Sequence, residues 1–291
     1  MDGNPTRALV LSGGGGRGAY ECGVYKCLEE IGWQPDILAG TSIGAINAAA
    51  IASGRSAAEL EAAWLATRTR DVQRFWRLKP WRSIYDTSPW RKTLYRYIDF
   101  GALARTDKRV LIAATELETG QLRIFDNRET VLTPDHILAS CSIPLVYPWT
   151  KIGACHYWDG AVMANTPLAG AIDAGAGEIL IVLLSPIGER HMQPPRWPWH
   201  ALTVILDLAL SATYENDLKQ LENVNRLVAA QLDTRHRRVQ CKVITPSVET
   251  SALRIIRYEP GVSRALIDAG YADARKVLME GDGPTPNMLQ P

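Results

Sequence analysis

The five cysteines, Cys22, Cys27, Cys141, Cys155 and Cys241, are odd in number, and no two stand at C-x-x-C spacing. That argues against a disulfide framework or a zinc site and points to buried thiols in a reducing compartment. Net charge is also scarce. The formal value is +1 over 291 residues, so no global field draws the chain to nucleic acid, and none is expected as a partner. Long apolar runs are missing too. The longest stretch, near Ala201 to Thr213, is interrupted by Asp207 and falls short of the ~20 residues a spanning helix needs. The opening residues lack the basic and apolar regions of a secretory signal. A cytoplasmic location is expected, with peripheral membrane contact at most. There is no internal repeat, and nothing resembles an EF-hand loop.

What is present suits a globular chain with a sizeable core: 46% hydrophobic and 22% charged residues. Short, wholly apolar runs that end in glycine alternate with helical periodicity. Ala8 to Leu11, Ile37 to Ala39, Val110 to Ala114, Glu178 to Leu184 and Val239 to Ile244 read as buried strands. Gln121 to Phe125 reads as the hairpin partner of Val110 to Ala114, across the turn at Thr119-Gly120. Helices are expected over Gly18 to Ile31, from directly after Gly40 through Ala45, Ile46, Ala49 and Ile51 to Gly54, from Thr133-Pro134-Asp135 to before Pro144, over Pro167 to Gly175, within Ala201 to Asp233, and over Gly261 to Met279. This alternation predicts an α/β fold, a three-layer α/β/α arrangement with a mainly parallel central sheet. A single domain over residues 7–280 is expected, with a Gly- and Pro-rich tail at 281–291 expected to be disordered.

Two motifs follow the first two strands. The first is Gly13-Gly14-Gly15-Gly16-Arg17-Gly18, between a strand and a helix. Glycines let the backbone approach a ligand closely, and a helix N-terminus offers free N–H groups and a positive dipole end. Such a loop can hold a phosphate or an oxyanion. It also matches the dinucleotide fingerprint, but no acidic residue ends a second strand ~20 residues further on, as that fold expects. The second motif is Gly40-Thr41-Ser42-Ile43-Gly44, a G-x-S-x-G string between a short strand and a small-residue helix. That context suits a nucleophile elbow, with Ser42 exposed on a sharp turn and Gly40 and Gly44 relieving the crowding.

A nucleophilic serine needs a base. The histidines, His136, His156, His191, His200 and His236, sit in no distinctive setting. Only one strand precedes the elbow's own, unlike the order of an α/β-hydrolase. A carboxylate can serve instead if it reaches the hydroxyl. The candidate is Asp159, in Asp159-Gly160-Ala161, although Asp-Gly is also a common turn pair.

Together these motifs resemble the patatin-like phospholipase family. Gly13 to Gly18, with Arg17 in the basic position, match the family's oxyanion-hole motif. Gly40 to Gly44 match its elbow, and Asp159, Gly160 and Ala161 match its DGA/G motif. The segments Ala139 to Pro144 and Ala114 to Gly120 are similar as well, and the likeness covers roughly residues 7 to 185. The resemblance implies a Ser42–Asp159 dyad, with oxyanion donors around Gly14 to Gly16 and an acyl-enzyme on Ser42, and neither metal nor cofactor. The substrate it implies is a phospholipid, lysophospholipid or other acyl lipid. A thioesterase or small-ester esterase with the same dyad is the nearest alternative. A nucleotide-binding protein and a non-catalytic membrane-surface module are alternatives of other classes.

One stretch suits a lipid surface. From Arg68 to Arg96 there are nine cations against Asp71 and Asp86, a net charge of +7, interleaved with Phe75, Trp76, Trp81, Tyr85, Trp90 and Tyr95. Basic residues with aromatics suit an anionic membrane surface. The segment could equally be a lid, or a solvated face with its aromatics packed inward. Trp197-Pro198-Trp199 is a second candidate for acyl-chain contact, or else core.

Overall fold

The computed structural model describes residues 5–75, 82–186, 239–247 and 255–280, with the isolated positions 201, 204, 208, 225 and 226. The tail at 281–291, Trp197-Pro198-Trp199 and the residues from Trp76 to Trp81 lie outside the described residues, as does nearly all of the stretch from Ala201 to Asp233 in which a helix is expected.

The expected strands form. β1 (Arg7–Leu11) and β2 (Ile37–Thr41) are buried on both faces, as the absence of any polar alternation requires of strands inside a parallel sheet. β3 (Arg74–Phe75) and β4 (Tyr85–Asp86) make a separate two-residue antiparallel ribbon. β5 (Arg109–Glu116) and β6 (Gln121–Asp126) are the anticipated hairpin. β7 (Thr150–Ile152), β8 (Cys155–Asp159), β9 (Glu178–Val182) and β10 (Gln240–Ile244) complete the set. The central sheet runs β10-β9-β1-β2-β5-β8-β7, with β6 also on β5. The five strands from β10 to β5 are mutually parallel, while β6, β8 and β7 join antiparallel. The sheet is therefore mixed, with a parallel centre.

Side chains alternate cleanly between two cores. Leu9, Leu11, Leu38, Val110, Ile112, Leu180 and Val182 face a helical layer. That layer includes α1 (Ala19–Glu30), α2 (Ile43–Ala52), α3 (Ala57–Ala66) and the long helix Pro260–Met279. Ala8, Val10, Ile37, Ala39, Leu111, Ile179 and Ile181 face the other way, onto Leu168 and Ala171 of the short helix Leu168–Asp173. This is the period-2 pattern of strands that need cover on both faces. α2 is alanine-rich and wholly buried, so its backbone can lie close behind β2.

β1 is flanked by β2 on one side and β9 on the other. The strand order thus reverses there, and in open α/β sheets such a point opens a crevice at the carboxyl ends of the strands. Both the glycine loop and Ser42 lie at those ends.

Candidate active site

Ser42 directly follows the last residue of β2 and is the N-cap of α2, with φ 55° and ψ −122°. A side chain in this region costs about 1–3 kcal/mol, so the surroundings must impose it. Three hydrogen bonds do so. The Ser42 amide donates to Ser140 Oγ at 2.8 Å, Thr41 Oγ1 donates to the Ala164 carbonyl at 2.9 Å, and the Ala45 amide donates to the Ser42 carbonyl at 3.0 Å. The elbow glycines serve close approach. A β-carbon on Gly44 would overlap the Leu11 carbonyl, and one on Gly40 would overlap the backbone of Gly44 and Ala45.

Asp159 arrives from the other direction. Thr41 of β2 lies opposite Ala113 of β5, and Asp159 of β8 lies opposite Ala114. β6 occupies the second edge of β5 over the same residues, so β2 and β8 must share the first edge and meet end to end. The Ser42 hydroxyl then donates to Asp159 Oδ2 at 2.7 Å. The Ala161 amide donates to Oδ1 at 2.9 Å, which is what the Asp159-Gly160-Ala161 turn contributes. The Asp159 backbone is fixed as well: its amide donates to the Ser142 carbonyl at 2.9 Å and its carbonyl accepts from Thr115 Oγ1 at 3.0 Å.

Ser42 is 4% and Asp159 2% exposed. Burial pushes the Asp159 carboxyl up to about 7, against the opposing pull of its hydrogen bonds from Ser42 and Ala161. The Cys141 thiol lies nearby, and burial with the Asp159 charge keeps it protonated, its ionisation pushed well up.

The glycine loop forms a short turn, Gly15–Gly18, that runs straight into α1. Gly15 has φ +58°, and a β-carbon there would overlap the Ile255 carbonyl, so only glycine fits. The Gly13 amide is taken up by Asn165, both by its carbonyl at 3.2 Å and by its Oδ1 at 3.0 Å. The amides of Gly14, Gly15 and Gly16 have no acceptor among the described residues. Arg17 is buried, and its side chain folds back on the loop, with Nε donating to the Gly14 carbonyl at 3.4 Å and Nη1 to Ser185 Oγ at 3.2 Å. A β-carbon on Gly13 would stand 3.1 Å from Ser42 Cβ, which puts the loop beside the serine.

The structure thus brings the glycine loop, the elbow and the Asp159 turn into one place. It brings neither described histidine to Ser42. His136 Nδ1 accepts from the Thr133 amide at 3.0 Å, and His156 pairs with Glu118 at 2.6 Å. Ser140 and Asn165 are site neighbours that sequence reasoning did not single out. Ser140 lies in the Ala139 to Pro144 segment, whose only signal in the sequence is its likeness to the family. Asn165 gives no local signal beyond its closeness to Asp159.

The basic aromatic stretch divides. In α5 (Ser88–Tyr97), Trp90, Thr93, Leu94 and Tyr97 point inward. Trp90 meets Tyr147 and Tyr258 edge-on, at 5.8 and 6.1 Å between ring centres. Phe75 and Tyr95 are 71% and 58% exposed. Arg74, Arg91 and Arg96 pair with Asp86, Asp135 and Asp71.

A mixed sheet with helices on both faces, a strained serine at the crest of β2 and a glycine loop beside it define an α/β protein with a candidate site at the carboxyl ends of β1 and β2. The Patatin family model, described as patatin-like phospholipase, matches residues 9–172, and the chain belongs to that family. It is 27% identical over 234 residues to a cGAMP-activated phospholipase of Escherichia coli, covering 65% of this chain and 64% of that one. It is 32% identical over 193 residues to YqhO of Bacillus subtilis, covering 55% of this chain and 64% of that one. The chain thus spans just under two thirds of the length of these relatives. Among solved structures, VipD of Legionella pneumophila shares the fold, with a TM-score of 0.51 at 12% identity, covering 96% of this chain and 68% of that one.

Proposed function

We propose that the protein is a serine acyl hydrolase acting on phospholipids, lysophospholipids or related acyl lipids. The observation that carries this reading is the buried 2.7 Å hydrogen bond from Ser42 Oγ to Asp159 Oδ2. Ser42 attacks the ester carbonyl as Asp159 accepts its proton, which requires an ionised carboxylate within direct reach. The developing oxyanion is held by amides from Gly14 to Gly16, which need an acceptor and stand at the head of a helical turn. Each such donor is worth about 10²–10³ in rate. The leaving alcohol departs with the proton, an acyl-enzyme remains on Ser42, and water, deprotonated by Asp159, releases the fatty acid. Arg17 and Asn165 position the loop. No step calls for a metal or cofactor.

The lipid part of this reading is supported by family membership and by the surroundings of the site. Val162 and Met163, directly after the Asp159 turn, are 45% and 46% exposed. Ile84 and Leu145 are likewise exposed and joined backbone to backbone at 2.9 Å. Apolar side chains displayed at the end of the Asp159 turn suit an acyl-chain interface. No described helix is long and apolar enough to cross a membrane.

The test is mass spectrometry of a mixed lipid extract after incubation with wild type and Ser42→Ala. Free fatty acid and a matching lysolipid should appear with wild type alone. Turnover of short soluble esters but no lipid would favour an esterase or thioesterase.

A further inference from the structure

An open cavity of about 510 Å³ lies apart from the serine site, between α4 (Thr69–Val72), the β3 strand and α5. Its lining includes four cations, Arg70, Arg74, Lys92 and Arg96, and a single carboxylate, Asp71. The neutralisation is incomplete. Arg74 is held by Asp86 at 2.7 Å, and Asp71 reaches Arg96 only at 3.9 Å. Asp71 is also occupied by the Arg68 amide at 2.9 Å. Arg70 and Lys92 form no ion pair among the described residues.

Two of these cations are held in place. Arg74 sends Nε to Asp86 and Nη2 to Ser88 Oγ at 3.1 Å, so its guanidinium is anchored at the cavity wall. Arg96 is anchored by the Ala66 carbonyl and Thr67 Oγ1. Two anchored guanidiniums and two cations with no ion pair among the described residues, all lining one space, suit a phosphate monoester, which carries about −1.5 to −2 charges and three acceptor oxygens. The volume falls in the range of small-molecule sites.

We propose that this cavity binds the phosphate group of an anionic ligand, with a phospholipid headgroup as the favoured source. The surroundings favour lipid. Phe75, next to Arg74 in sequence, and Tyr95, between Lys92 and Arg96, are both exposed. The ribbon carrying Arg74 and Asp86 continues into Tyr85, whose amide bonds to buried Val146, and Ile84, whose amide bonds to Leu145; Ile84 and Leu145 are the exposed apolar pair. Headgroup phosphate in the cavity with aromatic and apolar side chains beside it is the arrangement of an interfacial binding face. The inference does not depend on Ser42 chemistry.

The test is binding by the Ser42→Ala protein, whose lipid is not consumed if the proposed hydrolysis holds, to vesicles of phosphatidylcholine with and without phosphatidic acid. The comparison is R70Q/K92Q against R123Q/K151Q, which removes equal charge from exposed positions elsewhere. At about fivefold per cation, R70Q/K92Q should weaken binding to phosphatidic acid vesicles about 30-fold, while the control pair keeps it. A parallel titration with inorganic pyrophosphate separates the sources. If R70Q/K92Q loses pyrophosphate binding and vesicle binding is unchanged, the site stands with a soluble phosphate ligand in place of lipid. Equal losses in both double variants, or no phosphate-dependent binding by the parent protein, would overturn the proposal.

Discussion

Thr41 and Asp159 lie opposite neighbouring residues, Ala113 and Ala114, on one edge of β5. One belongs to a parallel strand and the other to an antiparallel strand, and the two strands meet head to head there. The residue after Thr41 is Ser42, so the sheet register itself delivers the hydroxyl to the carboxylate. The pairing is set by backbone hydrogen bonds of three strands and owes little to mobile side chains.

Because Asp159 is held in a buried place, its replacement should separate activity from stability. Asp159→Asn should lower hydrolysis by at least about 10³-fold and yet stabilise the fold above pH 7. The folded protein keeps the Asp159 proton to about pH 7, while the ordinary value is 3.8. The stability associated with that proton is therefore full below pH 4 and is lost as pH rises to 7 and beyond. The loss is up to ~4 kcal/mol. Urea unfolding at pH 8 should show the variant more stable than wild type, with the gap closing at pH 4. A less stable variant at pH 8 would contradict the assignment of burial as the dominant cause.

The same raised value sets a pH profile. With Asp159 as base, kcat/KM on a soluble ester should fall about tenfold per pH unit below 7 and level off above it. A plateau reaching down to pH 5 would mean that another group takes the proton.

Asn165 holds the Gly13 amide through its side chain at 3.0 Å. Asn165→Ala keeps the backbone carbonyl contact and loses the other, worth ~1 kcal/mol. About a fivefold drop in kcat is expected, with little change in KM. Stopped-flow and steady-state assays on one soluble ester check it, and a KM effect alone would place Asn165 outside loop positioning.

The two sides of α5 should respond differently. Trp90→Ala removes a buried ring that packs on Tyr147 and Tyr258 and should cost about 3–5 kcal/mol. Tyr95→Ala, on the exposed side, should change stability by no more than about 0.5 kcal/mol. Paired denaturant melts make the comparison.

The strands, the turn at Thr119-Gly120, the glycine loop and the elbow were legible in the sequence because each is a local event. Apolar runs that end in glycine have few other ways to satisfy their backbones. Residues whose partners are far along the chain were not legible in the same way. Ser140 and Asn165 carry no motif of their own, and they matter because their side chains reach the amides of Ser42 and Gly13 across 98 and 152 residues. The basic aromatic stretch shows the same limit. Its composition could not separate Trp90, which is core, from Tyr95, which is exposed, until the 3.6-residue period of α5 met Tyr147 and Tyr258.

Sequence alone determined a strand–glycine-loop–helix unit and a strand–serine–helix unit, since backbone propensity and close packing act over a few residues. Only the tertiary structure decided that Asp159, 117 residues away, receives the Ser42 proton donor. Antiparallel β8 had to abut parallel β2 on the edge of β5 for that. The same packing buried a turn aspartate and so raised its ionisation toward neutrality.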